Sequence, residues 1–279
     1  MSRHSLAGSY AKLNRAKRHV GSLRRAIRKK HGDTFSIPLS RQYEADKGAV
    51  VWRIQSLPEV SDIWGLLVGD ALHNFRCALD HLWWQLASLH MGVEPSNKQA
   101  KDIQFPILSD PVFRDETRWM DHRFLQYIDP LHSAKVEPLQ PFNPPEGDEI
   151  NFLGVLADLS NEDKHRVIHA VFILPPGLGI PFPSNESFLD CEPVPVYMPE
   201  IGHAVKALKF RLGQGMTYVD SPILEVPVRV TGSNPDVDLE PDLPGRIAFS
   251  DRSQDVIDTL DGIARTVASV LALFDPIFL

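Results

Sequence analysis

Asp70-Ala71-Leu72-His73-Asn74-Phe75-Arg76-Cys77-Ala78-Leu79-Asp80-His81 is the stretch on which the reading of this chain turns. Its apolar residues recur at helical spacing, and the pattern extends both ways to predict one helix over 62–90. Ser61 or Asp62 is the N-cap candidate, and Gly92 with Pro95 beyond it is the stop. On a helical wheel of about 100° per residue, His73, Asp80, Cys77, Asp70, His81, Asn74 and Arg76 fall in one arc. Leu72, Phe75, Leu79, Leu82, Trp83 and Leu86 fill the other side. An ordinary surface face carries mostly Lys and Glu. This one carries His, Asp, Asn, Arg and Cys, after a segment, 63–68, that is apolar almost all round and therefore expected to be buried. Buried polar groups are costly unless they satisfy one another or do chemistry. Two readings compete: a network that holds helices in register, or a site.

Outward from this helix, 5–30 carries Leu6, Leu13, His19, Val20, Leu23 and Ile27 as a helical stripe that ends at Gly32. Short strands are expected at 34–37 and 49–54, joined by a polar connection at 41–47. Shorter helices are expected at 116–128 and 131–139, and another at 149–164. After Asn161-Glu162-Asp163-Lys164-His165-Arg166 the pattern changes to strands at 167–174, 194–198, 205–212, 223–231 and 246–250. A last helix covers 253–274. The fold class expected is α+β: an antiparallel bundle of four or more helices with a C-terminal β-rich sheet inserted before the last helix. The division expected is a helical region, 1–166 completed by 253–274, and a β-rich region, 167–250.

Composition bounds the function. The 279 residues have ordinary apolar content, and the two cysteines, Cys77 and Cys191, form no CxxC pair, so neither a structural zinc site nor a disulfide framework is expected. The N-terminus has no secretory h-region, and the apolar run 266–274 is too short to span a bilayer; a cytoplasmic protein without membrane partners is expected. The net charge of −7 hides an asymmetry: the first 32 residues hold ten Lys or Arg and no acid, leaving −17 on the rest. Such a basic segment is either a polyanion-binding arm or a solvated helix face. There is no P-loop and no dinucleotide fingerprint. The junction cluster Asn161-Glu162-Asp163-Lys164-His165-Arg166, with His169 nearby, is a second candidate constellation, set against a plain C-terminal cluster that complements the helix dipole.

Arg76-Cys77-Ala78-Leu79-Asp80-His81 fits Arg-x4-His and resembles the HEPN superfamily, helical-bundle ribonucleases of toxin–antitoxin, abortive-infection and CRISPR-linked systems. The run from Gly69 to Leu82, together with Asn161-Glu162-Asp163-Lys164-His165-Arg166, also resembles a bacterial family common in actinobacteria, a likeness over roughly residues 5–170 that brings no function with it. The HEPN resemblance implies a metal-independent endoribonuclease without cofactor, acting as a homodimer on RNA, in phage defence or a toxin-like role. It implies Arg76, His81, Asp80, Asn74 and His73 as catalytic residues. His81 would be the acid–base group, Arg76 the cation at the phosphorane, and Asp80 or Asp70 a histidine orienter. Asp70, Asn161, Lys164, His165 and Arg166 would bind substrate, and the basic N-terminal helix would gather RNA. HEPN enzymes often carry a polar residue after the Arg, where this chain has Cys77. Residues five apart stand about 140° apart on a straight helix, so Arg76 and His81 would meet across a two-fold axis. Two other classes stay open: a non-enzymatic adaptor of phage or prophage origin, and a metal-binding helical-bundle hydrolase using His73, Asp80, His81, Asp70 and His165 or His169. The latter lacks Glu-x-x-His and places Arg76 beside its cation. A Cys77 nucleophile comes last, because a helical Cys is more often a small hydrophobe.

Overall fold

The structure is a computed structural model that describes residues 4–32, 61–143, 150–165 and 255–278. It also describes, as backbone, strands at 39–44, 49–54, 170–173, 189–198, 203–212, 215–216, 223–227 and 246–249. The chain divides into two compact units: Met1–Ala26, Asp62–His169 and Val256–Leu279 make one, and Ile27–Ser61 with Ala170–Asp255 makes the other.

The first unit is helical: α1 Ala7–His31, α2 Asp62–Met91, α3 Asn97–Ala100, α4 Glu116–Met120, α5 Pro130–Val136, α6 Phe152–His165, α7 Val256–Ala272 and α8 Asp275–Phe278. Helix α1 begins one residue past Leu6 and ends on Gly32, whose φ of 78° is the left-handed cap and whose N–H reaches the Arg28 carbonyl at 2.7 Å. Its buried residues are Leu6, Ser9, Leu13, Ala16, Val20 and Leu23. They alternate in steps of three and four, the repeat of a coiled-coil seam. Two further stripes, seven residues apart, flank that seam. Ser5 and His19 reach α2, at Gln85 (3.4 Å) and Asp70 (3.7 Å). On the other flank Tyr10 and Arg24 reach α8 and α7, at Asp275 (2.7 Å) and Asp261 (2.6 Å). The pairings run in opposite senses along the chain, so α2 and α7 both lie antiparallel to α1.

Helices α2 and α7 pack together, and their buried residues include Trp64, Leu72, Phe75, Leu79 and Trp83 of α2 and Val256, Leu260, Ile263, Val267, Val270 and Leu271 of α7. Helix α6 touches α2 and α7 at glycines. A Cβ on Gly262 would run into the Phe152 ring, and one on Gly69 into the Asp163 carboxylate. The expectation that 63–68 is buried all round is corrected: Trp64 and Val68 are buried one turn apart, but Ile63 and Leu66, on the opposite face, are 57% and 62% exposed. The helix expected at 116–128 stops at Met120, and the one at 131–139 begins with Pro130 after the Asp129 cap, then tightens into a 3-10 turn at Glu137–Leu139.

The fold class expected from the sequence is corrected here. Residues whose side chains are described are 74% helical and none lies in a strand, so the fold they define is helical, with no C-terminal β-rich sheet packed among them. The backbone strands are β1 Leu39–Glu44, β2 Ala49–Ile54, β3 Ala170–Ile173, β4 Leu189–Met198, β5 His203–Leu212, β6 Gly215–Met216, β7 Ile223–Pro227 and β8 Arg246–Phe249. They form three separate antiparallel groups, β1-β2-β7, β3-β8 and β4-β5-β6, and not one sheet. The first joins a strand from the middle of the later region to a hairpin near the N-terminus, with Trp52 opposite Leu224. Alternation marks a strand but not its partner, which is a non-local choice. Part of the expected polar connection at 41–47 belongs to β1. Pro193 and Pro195, which would interrupt a central strand, are accommodated because, among the described strands, β4 lies at the edge of its group, paired with β5. The strand expected at 34–37 lies outside the described residues.

Candidate functional site

The polar arc of α2 separates into two sides with different neighbours. On one side, Arg76 donates to the Phe105 carbonyl (2.7 Å), Asp80 accepts from the Phe105 N–H (3.0 Å), and the two side chains pair at 3.3 Å. They therefore grip both polar groups of one backbone residue. The Phe105 ring is buried edge-on against Trp83, with centroids 5.2 Å apart. A peptide group entering a core needs both its donor and its acceptor satisfied, and the Arg-x3-Asp spacing of one helical turn supplies both. Asp80→Ala would leave the Phe105 N–H unpaired and the guanidinium without its carboxylate; because the pair is part-exposed we expect a loss of about 1–2 kcal/mol, read by urea unfolding. Asn74 is buried and donates back to the Asp70 carbonyl at 2.7 Å, a contact within the helix.

On the other side, His73, Cys77 and His81 follow one another at steps of four, forming a straight stripe. Cys77 Sγ lies 3.4 Å from His73 Nε2, and His81 rests against Gly8 of α1. Lys12, one turn further along α1, acts electrostatically on both Cys77 and His81. Burial, then Lys12, holds the His81 imidazole below its ordinary pKa, against the opposing pull of Asp80. That shift favours the neutral imidazole, the form a general base needs. Burial raises the Cys77 thiol, with Lys12 and Arg76 opposing and Asp80 reinforcing. A protonated thiol is the wrong form for a nucleophile.

The two sequence motifs meet at the other end of the stripe. Asp163 of α6 is pressed against Gly69, where only a glycine leaves room. Burial, then the neighbouring charge of Asp70, raises its pKa, with His73 opposing. Asp70 in turn faces His19. The sequence expectations thus fall into three groups. His81 and Asp70 face α1, at Gly8 and His19, and His73 lies beside Cys77 and acts on Asp163 of α6. Arg76, Asp80 and Asn74 are engaged with backbone. Asn161 and Lys164 are exposed on α6, whereas Arg166, His169 and the His165 side chain lie outside the described residues. The sequence reading named Asp163 within the junction cluster without giving it a role, and passed over Lys12 and His19 as site members. The signal for those two was the seven-residue repeat of Ser5, Lys12 and His19 beside the apolar seam.

A raised carboxyl pKa means that folding disfavours the charged form. The cost is absent in acid, where Asp163 is protonated in both states, and appears as pH rises past the unfolded pKa. Asp163→Asn is therefore expected to raise Tm at pH 7, and differential scanning calorimetry should show that gain disappear in acid.

Among the described residues no group of three or more His, Cys, Asp or Glu is placed to hold a metal ion, and no helix is long and apolar enough to cross a membrane. Compared with protein-family models, curated proteins and solved structures, the chain matches none.

Proposed function

We propose that the helical unit is a metal-independent endoribonuclease whose chemistry runs along the seam between α1 and α2. The observation that carries the reading is the stripe His73–Cys77–His81 with Lys12 of α1 beside it. RNA brings its own nucleophile, so the protein must move two protons and hold one phosphate. Neutral His81 takes the 2′-OH proton as that oxygen attacks phosphorus. The P–O5′ bond breaks, and His73 returns a proton to the departing O5′. The products are a 2′,3′-cyclic phosphate and a 5′-OH. Lys12 stabilises the charge that builds on the phosphorane oxygens.

The resemblance to HEPN enzymes supports His81 in this role. For Arg76 the geometry favours another duty, because its guanidinium is committed to the Phe105 carbonyl. Lys12 supplies the cation within one chain, so this reading does not require the two-fold homodimer that Arg76 would have needed. It goes with a cytoplasmic location, where RNA is available. The test is cleavage of a labelled oligoribonucleotide in excess EDTA. The expected products end in 2′,3′-cyclic phosphate, and a single 2′-deoxy substitution should block cutting at its own position. Intact RNA after prolonged incubation with folded protein, or cutting indifferent to the 2′-deoxy substitution, would sink the reading.

A further inference from the structure

On the opposite flank of α1 a groove of about 600 Å³ runs between α1 and α7, edged by Lys17, Arg24, Arg265 and Ser269 and floored by Val20, Ala264 and Ala268. Lys17 and Arg24 belong to one stripe of α1, seven residues or about 10.5 Å apart along the axis, and Arg265 faces them from α7. Arg24 is held by Asp261 at 2.6 Å. Lys17 and Arg265 are exposed and have no carboxylate partner among the described residues. The small floor side chains keep the channel open for a slender ligand, while helices packed 8–10 Å apart leave no room for a duplex.

We infer that this groove holds the phosphodiester backbone of single-stranded RNA and delivers the strand to the α1–α2 seam; the inference rests on the ribonuclease reading and names its substrate class. The groove and the α1–α2 seam flank the same helix. The exposed outer face of α1 between them presents Arg15, Arg18 and Arg25, and the helix has no acid along its length. A strand lying in the α1–α7 groove reaches His81, beside Gly8, by crossing one helix diameter, roughly 10–12 Å, and moving about 13 Å along the axis from Lys17, past Arg15 and Arg18. That path explains why a chain with net charge −7 concentrates its positive charge on one helix. It is an electrostatic track on an otherwise repelling body.

The test uses a fluorescent 2′-O-methyl RNA 12-mer, which binds but cannot be cut, with anisotropy measured over a range of salt. Lys17→Ala/Arg265→Ala should weaken binding at least tenfold. It should also flatten the slope of log K against log salt by about 1.4, two cations at about 0.7 each for a single strand. Asp261→Asn, which removes the groove's own negative charge, should tighten binding. Unchanged affinity and slope in the double variant, no binding by the wild-type protein, or equal competition by duplex RNA or poly-glutamate would each overturn the inference. Groove-dependent binding without any cleavage would instead retire the ribonuclease reading and leave the groove assignment standing.

Discussion

Replacing Phe105 with Ala is expected to lower the stability of the helical unit by about 3–5 kcal/mol, the usual cost of emptying a buried phenyl site. The ring is fully buried and packs edge-on against Trp83 at 5.2 Å. Trp83 itself is anchored by its indole N–H to the Phe124 carbonyl at 2.8 Å. The site has little freedom to collapse, because the Phe105 backbone is held on both sides by Arg76 and Asp80. The lost ring therefore leaves a cavity and does not simply let the segment relax inward. Urea unfolding gives the measurement, and Phe105→Leu should recover a large part of the loss by refilling volume. A loss below about 1 kcal/mol would mean that the segment around Phe105 does not depend on this anchorage, and would remove the reason for assigning Arg76 and Asp80 to the fold.

The second large effect is on rate. His81→Ala should reduce cleavage by about 10²–10⁴-fold, the usual contribution of a positioned acid–base group, while leaving Tm within about 1 kcal/mol equivalent because the side chain is exposed. The pH dependence gives an independent check. Partial desolvation and Lys12 lower the His81 pKa, which favours the unprotonated form the proposed base needs. The acidic limb of the rate profile should fall below the ordinary imidazole value. Lys12→Gln removes one of the two lowering influences and should move that limb upward in pH, towards the ordinary value. A limb that ignores Lys12 would separate the two residues.

The helices at 5–30, 62–90, 149–164 and 253–274 were readable in the sequence because each has an amphipathic period longer than two turns, and a stripe that long has one physical solution. Strand pairing was not readable. Trp52 and Leu224 lie opposite one another across β2 and β7, and no local pattern links residues that far apart in the chain. At the site, the wheel placed His73, Asp70 and His81 on one arc and marked Arg76 as lying at its edge. It could not say that the edge of the arc meets a backbone, because Phe105 arrives from a segment with no period of its own. Gly69 is the clearest case of a hidden signal. In sequence it is one residue before an acidic–histidine run. In space it is the opening that admits Asp163 and joins two motifs more than ninety positions apart.

The central claim is that one chain assembles its own site across α1 and α2, with Lys12 in the place a partner's arginine would otherwise fill. The measurement that tests it most directly is single-turnover cleavage of a short RNA in excess EDTA by Lys12→Ala, with folding verified by circular dichroism. The account expects a drop of about 10²–10³-fold, the usual effect of removing one group that stabilises transition-state charge, and partial recovery in Lys12→Arg. Cleavage by Lys12→Ala at the wild-type rate would contradict it.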